Sequence, residues 1–212
     1  VSGNRGPGRV PLDWSSRVRI ALGAARGIAH LHNNKIEHGN IKSSNVLLNR
    51  EGNACVSDFA LAPLMPSSVT MLMASGYKAP ELVDNKKVSL RTDMYSFGVL
   101  LLEILTGKSP AQSLQDEGLD LARWVQSVVR EEWTAEVFDP HLLLLVEHSS
   151  ASVASIAAQQ EEMLQLLQIA MPCVLPSPHQ RPSMSHVLRM IENLRRPMTT
   201  TTTTDDDKSS GS

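Results

Sequence analysis

The segment that most constrains the fold is "TDMYSFGVLLLEILT", residues 92–106, because it is apolar on nearly every side of a helix. A surface helix pairs an apolar stripe with a polar face, whereas a helix that is apolar all round belongs inside a core. The run is too short to span a bilayer, and it carries Glu103. It therefore predicts a central helix around which a globular domain packs.

The rest of the chain predicts a mostly helical unit with one small hairpin. Helical periodicity recurs along four more stretches, and the first has Asp13 or Ser15 as its candidate N-cap. These stretches are residues 12–34, 119–130, 163–174 and 183–195. Two short β-rich runs at 46–48 and 54–57 flank "NREGN", which predicts the hairpin.

Composition separates the remaining segments. Residues 60–78 lack periodicity and are rich in Pro, Ser and Met, so we expect a surface loop. Residues 149–160 are small and polar, and we expect a flexible insertion there. These patterns divide the chain into an irregular, Gly- and Pro-rich lead-in, a globular unit, and a disordered Thr/Asp/Ser tail that cannot bury surface. The three parts are residues 1–11, 12–196 and 197–212.

The bulk composition excludes some classes of partner. The 212 residues have 42% hydrophobic side chains and a formal net charge of -2, so no basic field favours nucleic acid. Aromatic residues make up only 4%, which predicts an aliphatic core. The two cysteines, Cys55 and Cys173, lie in apolar runs, and we expect buried, reduced thiols of an intracellular, soluble segment.

Four polar residues stand at intervals that suggest phosphate chemistry. His38, Lys42 and Asn45 form an H-x-x-x-K-x-x-N loop, and Asp58 follows the predicted hairpin as Asp-Phe. Further along come "APE" at 79–81, the apolar helix, and "RPSM" at 181–184. Together these motifs, in this order, resemble the C-terminal lobe of a plant receptor-like protein kinase of the leucine-rich-repeat type, over about residues 12–196. The resemblance implies a mainly α fold, a helical bundle around a buried central helix with a small β-hairpin, and without the N-terminal β-rich lobe.

The resemblance also implies a role for each residue. Asp58 and Asn45 would hold Mg²⁺ on the phosphates of ATP, because a hard cation prefers oxygen ligands. Lys42 would neutralise charge on the transferred phosphoryl group. Structural roles are implied for the rest, with His38 as a strut of the loop, Glu81 and Arg181 as a buried ion pair, and Asp93 as a cap on the loop backbone.

Three positions depart from the active kinase pattern. Asn40 stands where the family places its catalytic Asp, and a carboxamide cannot take a proton, which removes general-base catalysis worth about 10²–10⁴-fold. Gly39 replaces an Arg that anchors a phosphorylated loop. Ala60 replaces the Gly of Asp-Phe-Gly, and Ala tolerates positive φ poorly. A weaker departure is Ala74, where relatives usually carry Thr.

These departures leave three functional hypotheses open, and enzymatic activity stays uncertain. The leading one is a pseudokinase that binds other protein kinases or receptor partners, at the cytoplasmic side of the plasma membrane within a full-length receptor. The second is a weakly active serine/threonine kinase once joined to an N-lobe. The third is a truncated fragment without an independent role. Since the chain lacks a Gly-rich loop, we expect weak ATP binding by this segment and a longer parent protein.

Overall fold

A computed structural model describes residues 11–61, 64, 76–82, 87–116, 119–131, 134–147 and 152–194. Its elements are α1 (Trp14–Asn33), β1 (Val46–Leu48), β2 (Ala54–Val56), α2 (Leu90–Thr106), α3 (Pro110–Asp116), α4 (Leu121–Arg130), α5 (Pro140–Glu147), α6 (Val153–Cys173) and α7 (Met184–Asn193). Short 3-10 turns occur at Ser43–Asn45, Thr134–Val137 and Pro178–Gln180. This arrangement confirms the predicted mainly α, kinase-like fold with one small hairpin.

Helix α2 is the centre of the core, as its sequence predicts. Nearly every side chain from Thr92 to Thr106 is buried. Ser89 and Thr92 form a reciprocal capping box at the N-terminus, and Gly107 ends the helix in the left-handed conformation at φ 65°. Helices α1, α4 and α6 pack against α2, because a helix apolar on all sides must be covered by other elements.

Two groups of contacts build the domain around α2. Helix α6 lies along α2, and α4 covers another side of it. Helix α1 packs against α7 and against β2. Asp13 caps α1 by accepting the backbone N–H of Ser16 at 2.8 Å, which settles the choice between Asp13 and Ser15.

The hairpin packs closely against α1 at the positions of two glycines in the helix. Leu47 pairs with Cys55 in the antiparallel register. A Cβ on Gly23 would lie 2.5 Å from the carbonyl oxygen of Ala54, and one on Gly27 would lie 2.8 Å from a methyl carbon of Val56. Only glycine lets the helix and the strand approach this closely.

Two predictions about local structure are wrong. Cys55 is exposed, because alternation along β2 turns it away from α1, while Cys173 is buried as predicted. Within 149–160, the residues from Val153 onward form the start of α6, with Ser152 as its N-cap. Alanine-rich turns extend cheaply from a helix that is already anchored in the core, so small residues here favour helix over a flexible loop.

Some predictions fall on residues outside the described ranges. They include the lead-in up to residue 10, the tail from 197, and most of the loop between 60 and 78. Among the helices that are described, none has the length and hydropathy needed to cross a membrane.

Candidate functional site

The site is built on the loop that joins α1 to β1, and Asp93 of α2 holds that loop. The Asp93 carboxylate accepts the backbone N–H of His38 at 2.7 Å and of Gly39 at 2.9 Å. Gly39 has φ 76°, a conformation that favours glycine. The buried central helix therefore sets the position of the loop's backbone directly.

His32, which has no role in the motif pattern of the sequence, is the third partner of Asp93. Its Nε2 lies 3.0 Å from Asp93 Oδ2, and the side chain is buried. The signal was present, because His32 follows Ile28 by one helical turn on the buried face of α1. A buried imidazole requires a hydrogen-bond partner, and the sequence pattern could not show which residue supplies it.

Asn40 is buried inside this loop, and its backbone is fully used. Its N–H points at His38 Nδ1, 3.4 Å away, and its carbonyl oxygen accepts the side-chain amide of Asn45 at 2.9 Å. The side-chain Oδ1 of Asn40 is buried and meets no donor among the described residues. The position thus holds a neutral carboxamide, which cannot act as a base.

Asp58 lies beside Asn45 and His38. Asn45 accepts the backbone N–H of Ser57 at 2.9 Å, and His38 accepts the N–H of Ala60 at 3.0 Å. Asp58 and Ala60 both have positive φ, 59° and 57°, so the Ala that replaces Gly adopts the strained conformation. The Asp58 side chain is exposed. Asn40 and Asn45 are therefore hydrogen-bonded to each other, and Asp58 follows Ser57, whose backbone is bonded to Asn45.

The oxygen groups present are chemically suited to Mg²⁺. Asn45 uses its Nδ2 in the bond to Asn40, which leaves its Oδ1 as a ligand atom, and Asp58 offers a carboxylate. One or two protein carboxylates with substrate phosphates are the usual Mg²⁺ environment. Lys42, half-buried, lies in the same loop. Within the described ranges there is no cluster of three or more His, Cys, Asp or Glu residues that could hold a metal ion.

The His38 ring links the loop to the Asp-Phe segment. It meets the Phe59 ring edge-on, with centroids 6.3 Å apart and an interplanar angle of 75°. Burial lowers the pKa of His38 below its usual value, although the Asp93 carboxylate opposes this shift. A neutral imidazole is what the geometry needs, since Nδ1 faces the N–H of Asn40.

A second polar chain, which the sequence analysis did not predict, runs beneath the loop. The Tyr77 hydroxyl donates to the buried carboxylate of Glu103 and lies 3.1 Å from Ser43 Oγ. Burial and the Glu103 charge raise the pKa of Tyr77. Glu103 was visible in the sequence as a carboxylate inside an apolar helix, a residue that requires a buried partner. This chain connects the segment after residue 75 to the loop that carries Lys42.

Arg181 and Glu81 form a bidentate ion pair in which Arg181 is buried and Glu81 is half-buried. The two guanidinium nitrogens lie 2.6 and 2.8 Å from the two carboxylate oxygens. Arg181 also donates to the carbonyls of Leu175, Arg91 and Pro176, and its guanidinium lies over the Tyr95 ring. A buried guanidinium is stable only when its N–H groups have acceptors, and those of Arg181 do. The pair ties residues 79–82 to the start of α7.

Ala74, the weaker departure from the kinase pattern, lies outside the described ranges, as do most residues of the loop between 60 and 78.

Comparison with known proteins independently assigns the chain to the protein kinase family. The protein kinase domain family matches residues 10–191. A "probable leucine-rich repeat receptor-like protein kinase" of Arabidopsis thaliana is 52% identical over 204 residues, which cover 92% of this chain and 28% of that protein. A "probable inactive receptor kinase" of the same plant is 52% identical over 199 residues, 92% of this chain and 30% of that protein. The chain thus spans less than a third of these curated relatives.

A solved structure matches as well. The pseudokinase domain of BIR2, described as an immune regulator of the RLK/Pelle family, superposes with a TM-score of 0.71 at 34% sequence identity. The match covers 91% of this chain and 54% of that domain.

Proposed function

Because this chain belongs to the protein kinase family, as a kinase domain of the plant receptor-like type, we propose that it is a pseudokinase module that acts by binding other proteins. The observation that carries the proposal is Asn40. The loop around it is held by hydrogen bonds to Asp93 and from Asn45, and a carboxamide stands where the family places the group that accepts the substrate proton. A signalling role then depends on contacts with partner kinases or receptors.

The proposal includes the wider context of the domain. Residues 12–196 act as the C-lobe, and a receptor that contains them holds the module at the cytoplasmic side of the plasma membrane. A relative that is named a probable inactive receptor kinase supports this context. Glu81 and Arg181 would keep residues 79–82 docked on the lobe, and Asp93 with His38 would keep the loop in shape.

A weakly active kinase is the second candidate, and Asn45 and Asp58 favour it. Both would offer oxygen atoms to a metal ion, and Lys42 would add a positive charge. Positioning and electrostatic stabilisation supply most of the catalysis in phosphoryl transfer, so some rate can survive the loss of the base. In this case ATP and Mg²⁺ would bind through Asn45 and Asp58.

One experiment separates the two candidates. A chimera would join the preceding kinase-domain residues of the 52%-identical receptor-like kinase to residue 11 of this chain. Transfer of ³²P from ATP to a generic peptide substrate is measured with Mg²⁺ and with Mn²⁺, beside an Asp58→Asn chimera. We expect no difference between the two proteins. Transfer that is present in the first and lost in the second would establish the weak kinase instead.

A further inference from the structure

A chain of three hydrogen-bonded side chains links the central helix to the far end of the candidate site's loop. Glu103 is fully buried within α2 and accepts the hydroxyl proton of Tyr77. The Tyr77 hydroxyl oxygen lies 3.1 Å from Ser43 Oγ and accepts the backbone N–H of Ser43 at 3.4 Å. A phenol has one proton, which goes to Glu103 here, so Ser43 supplies the donors at its end of the chain.

Tyr77 is fixed to α2 by its side chain and by its backbone. Its hydroxyl bonds to Glu103, and its carbonyl oxygen accepts the hydroxyl of Ser96 at 2.8 Å. The second carboxylate oxygen of Glu103 is buried and meets no donor among the described residues. The Tyr77 hydroxyl therefore satisfies a buried charged group, and such a bond is costly to break. The central helix thus sets the position of Tyr77.

Ser43 in turn sets the position of Asn45. It begins the 3-10 turn Ser43–Asn45, in which the backbone N–H of Asn45 donates to the carbonyl of Lys42 at 3.0 Å. The Asn45 side chain bonds to the carbonyl of Asn40, and its backbone carbonyl accepts the N–H of Ser57 at 2.9 Å. The place where this turn starts therefore decides where Asn45 meets the rest of the site.

The loop thus has two anchors on one helix. Asp93, near the start of α2, directly accepts backbone N–H groups at the beginning of the loop. Glu103 lies ten residues later, about 15 Å along the helix at 1.5 Å per residue, and holds Ser43 through Tyr77. The second anchor depends on residues 76–82, a segment that the first anchor does not involve.

We infer that Tyr77 is a positioning residue, which holds Asn45 in place through Ser43 and couples the docking of residues 76–82 to this half of the loop. The half that Asp93 holds is independent of Tyr77. The inference deepens the proposed function, because it concerns the same loop. It does not depend on whether that loop transfers phosphate.

Hydrogen exchange of single backbone amides, followed by NMR on the 212-residue chain, tests this inference. Tyr77→Phe keeps the ring and removes the hydroxyl. Tyr95→Phe is the matched control, since Tyr95 is also buried but its ring lies against Arg181. Glu103→Gln is the conservative variant, because its carboxamide oxygen still accepts the tyrosine hydroxyl. Ser43→Ala removes only one hydroxyl of the chain, and it gives the same test if thermal melts show that Tyr77→Phe does not fold.

We expect Tyr77→Phe to speed exchange about tenfold or more at the amides of Ser43, Asn45 and Ser57, because each of them depends on the second anchor. The two amides that Asp93 holds should exchange at the wild-type rate. The control and the conservative variant should resemble the wild type at all five amides.

Three results would overturn the positioning role. The first is uniform acceleration at all five amides, which would indicate a general loss of stability. The second is exchange in Tyr77→Phe that equals the wild type. The third is a Tyr95→Phe control that loosens the same three amides. The phosphotransfer result of the chimera stands separately in each case.

Discussion

The side-chain amide of Asn45 donates to the backbone carbonyl of Asn40 at 2.9 Å, so the two asparagines of the loop are fixed to each other. The bond uses the backbone of residue 40 and leaves the identity of its side chain free to vary. A kinase loop can therefore exchange its base for a carboxamide and keep its shape. This independence is the reason that the catalytic chemistry can be changed by one residue.

Restoring the base should raise phosphotransfer without help from residue 39. In the chimera, Asn40→Asp supplies a carboxylate at the same place, and we expect a gain of about 10²–10⁴-fold, the usual contribution of general-base catalysis. The variant should also be less stable by about 1–3 kcal/mol, because the side-chain oxygen it replaces is buried without a donor. Radiolabel transfer and a urea titration measure the two effects, and an Asp58→Asn background controls for contaminating kinases.

Adding Gly39→Arg should not improve the repaired enzyme. Gly39 has φ 76°, and a residue with a Cβ pays about 1–2 kcal/mol there. The double variant should therefore transfer phosphate no faster than Asn40→Asp alone and unfold at a lower urea concentration. A double variant that exceeds the single one would mean that the arginine gains more from loop contacts than the backbone loses.

The imidazole of His32 should contribute to stability through Asp93. His32→Leu removes one of the three donors of a buried carboxylate, and a hydrogen bond to a charged group contributes about 1.5–3 kcal/mol. We expect that loss in the free energy of unfolding, together with faster amide hydrogen exchange at His38 and Gly39. His30→Leu is the matched control, since His30 is exposed on the same helix. Equal effects of the two substitutions would contradict the role of Asp93 as anchor.

Gly76 should tolerate alanine far less well than Gly52. Both have positive φ, 83° and 78°, so alanine introduces similar backbone strain at the two positions. A Cβ on Gly76 would lie 2.6 Å from the backbone carbon of Pro110, whereas one on Gly52 would meet only the flexible end of Arg19, at 3.5 Å. The collision with backbone should cost a further 1–3 kcal/mol, roughly the cost of overpacking. Urea titration of the two single variants measures the difference, and equal midpoints would show that residues 76 and 110 move apart freely.

The sequence predicted the parts of this molecule whose signals are local. The apolar run at 92–106, the helical stripes and the paired short strands each depend on neighbours a few residues away, and all formed as predicted. His32 and Glu103 could have been flagged because each is polar on a buried face. Their partners could not, since Asp93 lies 61 residues from His32 and Tyr77 lies 26 residues from Glu103.

The failures have physical reasons of the same kind. Composition alone suggested a loop at 149–160, whereas anchoring by the later turns of α6 extends the helix back to Val153. Cys55 lies in an apolar run, yet strand alternation and not composition decides which way it faces. The positive φ of Asp58 depends on the bonds that Ser57 and Ala60 make to other segments, which no local pattern contains.

Titration of His38 should make the domain less stable in mild acid. Burial lowers the pKa of His38 in the folded state below 6.5, so the unfolded chain binds the proton more readily. The contribution to stability is complete above pH 6.5 and is lost as the pH falls below 6.5 through the folded-state pKa. The groups that face the ring are Asp93 and Asp58, which oppose the shift, and His32, which adds to it. Urea midpoints between pH 7.5 and 5.5 should fall more for the wild type than for His38→Gln, and parallel curves would remove His38 as the cause.

The buried pair of Arg17 and Asp139 should be far more sensitive to substitution than an exposed ion pair of the same domain. Their side chains meet at 2.6 Å, 6% and 4% exposed, and Arg17 also donates to the carbonyl of Ile104 at the end of α2. Asp139→Asn leaves the guanidinium buried without its counter-charge, and breaking such a pair costs about 3–5 kcal/mol. The exposed pair of Arg26 and Glu192 is the internal control, because its side chains are 60% and 40% exposed and Glu192→Gln should cost about 0–1 kcal/mol. Urea titration at pH 7 compares both variants with the wild type. Comparable losses would mean that solvent reaches Arg17 as easily as it reaches Arg26, and that the junction of α1, α2 and the segment before α5 is held by packing alone.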